Sequence, residues 1–166
     1  MCRNEQPESW WARWPQAAAR YAVAAIGATV RRLGGPKLLS VPVSAAMLTR
    51  VATAHPQQPL DEVAQLFVTG RVVHVPVIDR GRPVSVITRG DVATGLASAG
   101  PHGTVASAPS HQAVAVTAID SLRDVLDRLE AAPDAVAVVF DHGGAVGVLT
   151  AETVAQYLDD AARRNA

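Results

Sequence analysis

The chain has 166 residues, with 15 lysines and arginines and 15 aspartates and glutamates, so its formal net charge is zero. A chain without a basic surplus lacks the positive surface that binds nucleic acid, and this class of partner is disfavoured. Hydrophobic residues make up 49% and aromatic residues 4% of the chain, which predicts alanine-rich helices and β-branched strands around an ordinary core. The single cysteine, Cys2, offers no internal disulfide or metal-ligand pair, which fits a reducing cytoplasm.

Residues 1–37 differ in character from the rest of the chain. They hold all three tryptophans, Trp10, Trp11 and Trp14, and an alanine-rich helix candidate that ends at a Gly-Gly-Pro sequence. The apolar run of this helix, residues 21–30, is shorter than the ~20 residues that a membrane-spanning helix needs. Two interpretations remain open. The segment makes a peripheral contact with a membrane or a partner protein through its tryptophans, or it packs on its own domain.

Residues 38–100 are predicted to form the first half of a repeat, in the order strand, helix, strand, strand, helix. Val51 to Ala54 form the first short strand. From Leu60, apolar residues recur at intervals of three and four, which is typical of a helix with one buried face. Gly70 is expected to end this helix in the left-handed conformation. The two strands that follow, VVHVPVI and PVSVIT, are joined by a tight turn containing Gly81, and a second helix follows them.

A shift of 62 residues aligns the second part of the chain with the first without a gap, placing residues 137–154 over 75–92. The second repeat is therefore predicted in residues 113–160, after a linker and lead-in at 101–112 and before a tail at 161–166. Neither small sheet can bury its face alone, so the halves should pack through their sheets. The predicted fold class is α+β (α/β), with tandem pseudo-two-fold β-α-β-β-α repeats.

The ordered motifs resemble a tandem pair of CBS domains, regulatory modules named after cystathionine β-synthase. The resemblance covers roughly residues 41–160 and rests on the Pro-Leu-Asp-Glu-Val helix start, the HVPVID strand with its glycine turn, and the ITRGDV sequence, in this order. It implies the CBS-pair fold and a homodimer. It also implies a regulatory ligand in the cleft between the paired halves, AMP, ADP, ATP or S-adenosylmethionine, none of them an obligatory cofactor.

The candidate ligand site lies where the strand ending at Thr88 leads into a helix. The Thr88 hydroxyl and the free N–H groups of the helix start can bind a phosphate or ribose, and Asp91 can accept both hydroxyls of a ribose. Arg89 can pair with a phosphate, and Val75 and Pro76 can form an apolar wall for a base. The alternative is that Thr88 and Asp91 only cap the helix. With the resemblance, the predicted ligand-binding residues are Thr53, Val75, Pro76, Thr88, Arg89, Asp91 and Thr150.

The second repeat departs from the first at the polar positions of this site. Thr53 corresponds to Ala115, Pro76 to Val138, Arg89 to Ala151 and Asp91 to Thr153, while Thr88 corresponds to Thr150. A nucleotide site is therefore expected chiefly in the first half. Ser85 stands where the second repeat has Gly147, and its Cβ is expected to crowd a ligand in the first half.

No catalytic or metal site is predicted, because the five histidines lack metal-ligand spacing and no nucleophile motif occurs. Three functions remain open. The first is a nucleotide-binding regulatory module that transmits occupancy to an unidentified partner protein. The second is a degenerate pair used for dimerisation or docking. The third is a remnant of the regulatory domain of a membrane protein, such as a site-2-protease-like metalloprotease. The expected location is the cytoplasm, with membrane association in the third case.

Overall fold

The computed structural model describes residues 40–164. The predictions for residues 1–37, including the three tryptophans, lie outside the described residues. Two 3₁₀ helices, Val43–Ala45 and Val105–Ser107, each precede one repeat. The remaining elements, in chain order, are α1 (Leu60–Thr69), β1 (His74–Asp79), β2 (Arg82–Thr88), α2 (Arg89–Ala99), β3 (His111–Thr117), α3 (Leu122–Ala131), β4 (Ala135–Asp141), β5 (Gly144–Leu149) and α4 (Ala151–Arg164).

The two halves repeat each other closely, so the predicted tandem architecture is confirmed. The first half comprises α1, β1, β2 and α2, and the second comprises β3, α3, β4, β5 and α4. Helices α1 and α3 each have 10 residues and begin 62 positions apart, at Leu60 and Leu122. The sheet irregularity in β1 at Val77 recurs in β4 at Val139, again 62 residues later. The internal symmetry thus extends from the element order to local details of the backbone.

The first strand of the first half is shorter than predicted. Instead of a strand over Val51–Ala54, the structure has a single parallel bridge between Ala54 and Val77. Ala54 alone makes both ladder hydrogen bonds, donating to the carbonyl of Pro76 and accepting from the N–H of Ile78. Pro56 begins a turn directly afterwards, which takes the chain away from the sheet. The prediction of a regular strand at this place is wrong.

Gly70 does not adopt the left-handed conformation that was predicted for it. Its φ is −83°, and its N–H still donates to the carbonyl of Leu66 in helical fashion. Arg71, one residue later, has a φ of 50° and reverses the chain instead. A Cβ at position 70 would lie 2.7 Å from the carbonyl oxygen of Leu66, so close approach of the backbone explains this glycine.

Both predicted hairpins are present, and their turns are built alike. In the first, the central residues Arg80 and Gly81 have φ values of 49° and 76°. In the second, His142 and Gly143 have φ values of 48° and 82°. Positive φ at both central residues is characteristic of the two-residue type I′ turn, whose twist matches that of the flanking strands.

The halves are joined in one sheet with the order β1-β2-β3-β4-β5. Strand β3 runs parallel to β4 of its own half, and its first residue, His111, pairs with Val86 of β2 in the other half. At the far edge, Leu48 forms a bridge with Val148 of β5. Val148 is the repeat counterpart of Val86, so both junctions follow the same pseudo-two-fold relationship.

Each half completes its core with the lead-in segment of the other half. We define these lead-in segments as residues 41–48 and 103–110. Val43 lies in the core of the second half and Val105 in that of the first. A separate cluster joins Val86 of the first half's part of the sheet to Val136, Val138 and Val148 of the second half's part, which confirms that the halves pack through the sheet. No helix within residues 40–164 combines the length and apolarity that crossing a bilayer requires.

Candidate functional site

Thr88 and Asp91 form a capping box at the start of α2. The backbone N–H of Thr88 donates to Oδ2 of Asp91 over 2.8 Å, and its hydroxyl donates to the same oxygen over 2.6 Å. In return, the N–H of Asp91 donates to Oγ1 of Thr88 over 3.4 Å. The capping role considered from the sequence is therefore present, and it fixes both half-buried side chains at the junction of β2 and α2.

His111 joins this pair, although it was not among the predicted site residues. Its Nε2 lies 3.2 Å from Oδ2 of Asp91, and its Nδ1 lies 3.4 Å from Oδ1 of Asp134. Asp91 belongs to the first half and Asp134 precedes β4, so the imidazole connects the two halves. The sequence pattern assigns His111 to the linker, because it predicts that β3 begins at Ala113. In the structure β3 begins two residues earlier than predicted, at His111, and these two residues form the pairing with β2 that brings His111 to Asp91.

Asp91 and His111 each stabilise the charged form of the other. Burial alone would raise the pKa of the Asp91 carboxyl, but the hydrogen bonds from His111 and Thr88 outweigh burial and hold this pKa below its ordinary value. The hydrogen bond to Asp91 raises the pKa of His111 against the opposing effect of burial, and the Asp134 carboxylate adds to the rise. The site therefore favours an imidazolium paired with a carboxylate.

A second imidazole, His74, lies on β1 directly opposite Thr88 of β2. Burial, reinforced by the nearby positive charge of His111, lowers the pKa of His74 to about 4. Its Nδ1 is buried and has no hydrogen-bond partner among the described residues. His74 thus adds a neutral polar group, with one unsatisfied nitrogen, to the site. We call His74, Thr88, Asp91, His111 and Asp134 the polar cluster.

The structure separates the two residues that were predicted to form a wall for a base. Val75 is fully buried in the core of the first half, as is Val77 at 1% exposure. Side chains alternate along a strand, so Pro76 faces the opposite side, the side of His74 and Thr88. Pro76 therefore shares a face with the polar cluster, whereas the side chain of Val75 does not.

Three other predicted residues lie in different surroundings. Thr53 is exposed and precedes Ala54, the residue bridged to β1. Nη2 of Arg89 donates to the carbonyl of Phe67 over 3.1 Å, near the end of α1, where it stabilises the helix terminus. Thr150 is the counterpart of Thr88 in the second half, and its N–H donates to Oγ1 of Thr153 over 3.0 Å.

Gly147, the counterpart of Ser85, lies against the first lead-in segment. A Cβ at this glycine would be 2.6 Å from Sδ of Met47 and 3.1 Å from the carbonyl oxygen of Leu48. Close approach of another part of the chain thus explains the glycine at this position. Ser85 instead pairs with Gln112 across the β2–β3 junction.

The β5–α4 junction, which is equivalent to the β2–α2 junction, has no counterpart of the polar cluster apart from Thr150. The residues at the equivalent positions have no titratable group: Val136 replaces His74, Thr153 replaces Asp91, and Val72 replaces Asp134. Leu48 replaces His111, because it faces Val148 as His111 faces Val86. The two halves therefore share a fold and differ in chemistry. Within residues 40–164, no group of three or more histidine, cysteine or acidic side chains is placed to hold a metal ion.

Comparison with known proteins agrees with this architecture. The family model for the CBS domain matches residues 43–98 and 105–160. No curated protein matches the chain. One similar solved structure is the CBS domain of a CBS domain-containing membrane protein from Sphaerobacter thermophilus, with 20% identity, coverage of 81% of this chain and 97% of that chain, and a TM-score of 0.62.

Two further solved structures contain adenosine compounds. The CBS domain of a bacterial CNNM/CorC family Mg²⁺ transporter, in complex with ATP, has 22% identity, coverage of 87% of this chain and 98% of that chain, and a TM-score of 0.61. The CBS domain pair of protein MJ0100, in complex with 5′-methylthioadenosine and S-adenosyl-L-methionine, has 20% identity, coverage of 73% and 98%, and a TM-score of 0.59. These likenesses show the fold. Because the family model matches both structural repeats, the chain belongs to the CBS domain family, as a tandem pair of CBS domains.

Proposed function

We propose that the chain is a regulatory module that binds an adenosine-containing nucleotide, such as AMP, ADP, ATP or S-adenosylmethionine, and passes its occupancy to a partner protein. CBS domains are regulatory rather than catalytic modules. The ligands in the CNNM/CorC and MJ0100 structures support the choice of an adenosine compound. The binding site is chiefly that of the first half.

The observation that carries this proposal is the polar cluster at the β2–α2 junction, which has no counterpart at the equivalent β5–α4 junction. Asp91 supplies a carboxylate that can accept the hydroxyls of a ribose. The Thr88 hydroxyl and the free N–H groups of the first turn of α2 suit a phosphate. Pro76 lies on the same face, as a buried apolar neighbour of the site, and Nδ1 of His74 is a buried polar atom that a ligand can satisfy.

A second candidate function is a ligand-free pair used for dimerisation or docking, including the version in which it descends from the regulatory domain of a membrane protein. The specific support is that the polar side chains already have structural partners. Thr88 and Asp91 cap α2, and Arg89 binds the carbonyl of Phe67. In this case the polar side chains serve the fold alone.

The experiment that separates the two candidates measures ligand content directly. Small molecules released from the purified native protein are identified by mass spectrometry, and the stripped protein is then titrated with AMP, ATP and S-adenosylmethionine in a calorimeter. We expect at least one adenosine compound to bind with one site per chain. If none copurifies and none of the three produces binding heat, the docking function is the better account.

The same preparation tests the proposed partners. We expect sedimentation velocity to show a homodimer. Pelleting with lipid vesicles, for the full chain and for a chain without residues 1–37, tests the peripheral membrane contact proposed for Trp10, Trp11 and Trp14. Equal pelleting of both forms would contradict a role for these tryptophans.

A further inference from the structure

Three donors converge on one oxygen of Asp91. Oδ2 accepts from the N–H and the hydroxyl of Thr88 over 2.8 and 2.6 Å, and Nε2 of His111 lies 3.2 Å from it. A carboxylate offers about four lone-pair positions over its two oxygens. With three donors Oδ2 is fully occupied, so a ribose that binds both carboxylate oxygens must displace one of them. The two contacts of Thr88 belong to the cap that holds α2, whereas the contact of His111 is the longest. His111 is therefore the group that gives way.

The position of His111 between two carboxylates depends on its proton. A neutral imidazole has one donor nitrogen and one acceptor nitrogen, and only the imidazolium donates from both. Nε2 faces Asp91 of α2 and Nδ1 faces Asp134 before β4, so the neutral form would turn a lone pair towards one of these carboxylates. The remaining titratable group in the cluster is His74 of β1, which burial keeps neutral. The arrangement thus requires a protonated His111.

We propose that protonated His111 competes with the ribose of the nucleotide for Asp91, so that ligand binding frees the imidazole and releases its proton to solvent. This inference rests on the proposed nucleotide-binding function and adds the regulation of that site. Release of His111 also breaks the link from Asp91 in the first half to Asp134 in the second. Occupancy of the site therefore changes a contact between the halves, and acid weakens binding.

The internal repeat shows that the fold does not require the contact of His111 with Asp91. At the equivalent junction of the second half, Leu48 faces Val148 and Thr153 takes the place of Asp91 in the helix cap with Thr150, so no titratable pair connects the halves there. Both junctions nevertheless form. The His111 link is therefore dispensable for joining the halves, and its chemistry is specific to the side that carries Asp91.

Calorimetric titration of the full chain with AMP between pH 6 and pH 8.5 tests the proposal. A freed imidazole has the ordinary pKa of about 6.5, so displaced His111 loses its proton between this value and its raised pKa in the paired state. In this window we expect the dissociation constant to fall by up to about tenfold per pH unit, and outside it to level off. Titrations at pH 7 in two buffers of different ionisation enthalpy should show proton release on binding. His111→Gln keeps a neutral hydrogen-bonding side chain and removes the titration.

His111→Gln should bind AMP more tightly than the parent at pH 6 and equally at pH 8.5. The titration of the AMP phosphate is common to both proteins and cancels in the ratio of their affinities. Asp134→Asn provides a second variant that should fold normally, since the Asp134 side chain is 82% exposed. Because this variant has one carboxylate fewer to stabilise the imidazolium, the pH profile of its AMP affinity should lie between those of the parent and His111→Gln.

Parallel pH profiles for the parent, His111→Gln and Asp134→Asn would overturn the competition and leave nucleotide binding intact. Weaker binding by His111→Gln at pH 6 would also overturn it, because His111 would then be a contact that favours the ligand. If AMP binds neither the parent nor the variants at any pH, the proposed function fails for this ligand and the competition fails with it.

Discussion

Val43 and Val105 lie 62 residues apart in the sequence. Val43, in the lead-in segment of the first half, is buried in the core of the second half, and Val105, in the lead-in segment of the second half, is buried in the core of the first. The backbone contacts around them are equally matched. The N–H of Leu122 donates to the carbonyl of Val41, and the N–H of Leu60 donates to that of Gly103, each over 2.9 Å. The lead-in segments are thus exchanged between the halves, and neither half has a complete core without the other.

This exchange predicts that Val43→Ala and Val105→Ala each destabilise the whole pair. Both valines are at most 3% exposed, and losing two buried methyl groups should lower the free energy of unfolding by about 1.5–3 kcal/mol. Because the cores are interlocked, urea denaturation should still show one transition. Val68→Ala is the matched control, since Val68 is 76% exposed and the change should stay within about 0.5 kcal/mol. Separate transitions for the two halves would contradict interlocking.

A second prediction concerns the contact of α2 with the second lead-in segment at Gly95. A Cβ at Gly95 would lie 2.7 Å from Cβ of Ala108 and 2.8 Å from Cδ1 of Leu60. Gly95→Ala should therefore destabilise the protein by about 1–3 kcal/mol through overpacking. Gly90 on the same helix is exposed, and Gly90→Ala should leave the stability unchanged or raise it by up to about 1 kcal/mol. Thermal unfolding of both variants compares them, and an equal effect would exclude overpacking at Gly95.

The sequence was sufficient to predict the fold because the same pattern of strands, turns and helices occurs in it twice. The 62-residue shift places the counterpart of the helix start at Leu60 on Leu122, where α3 begins, and it places the counterpart of the Gly81 turn at Gly143, where the second turn lies. The strand at Val51–Ala54 and the left-handed Gly70 were wrong. In both cases the local backbone decides: Pro56 begins a turn directly after Ala54, and Gly70 keeps its helical hydrogen bond to Leu66 while Arg71 takes the positive φ.

The candidate site was only partly predictable, because strand pairing and helix capping decide which side chains meet. Thr88 and Asp91 follow each other within one motif, so sequence spacing placed them together. His111 meets Asp91 only through the pairing of β3 with β2, which a local pattern does not reveal. Val75 was included because it adjoins Pro76, yet alternation along β1 sends it into the core.

A third prediction concerns acid stability and His74. Its pKa in the folded protein is about 4, below the value of 6.5 expected in the unfolded chain. Between these values the unfolded state binds more protons, so His74 should make stability fall as pH drops from 6.5 to 4, by up to about 3 kcal/mol. His74→Val, which copies Val136 at the equivalent position, should flatten this part of the profile. Urea unfolding of the parent and the variant from pH 4.5 to 7.5 measures the free energy of unfolding at each pH. The same slope in both proteins would refute the buried neutral imidazole.

A fourth prediction concerns the opposite pH dependence at His111. Its pKa is raised in the folded protein, so its pairing with Asp91 stabilises below the unfolded value and is lost as pH rises through the folded value. Asp91, whose pKa is lowered, stays charged throughout this range. Partial exposure limits the effect, so His111→Gln should lower the free energy of unfolding by about 1 kcal/mol or less at pH 6 and leave it unchanged at pH 9. A larger loss at pH 9 would contradict a role for the proton.

The central claim is that the first half carries the nucleotide site and the second half does not. Calorimetric titration of AMP into Asp91→Ala and Thr153→Ala at pH 8 tests it most directly, because each variant loses the same kind of helix cap at equivalent positions. We predict one site per chain in the parent, retained in Thr153→Ala and weakened at least about tenfold in Asp91→Ala, through the lost hydrogen bonds to a charged group. Equal affinity in the two variants would contradict the account.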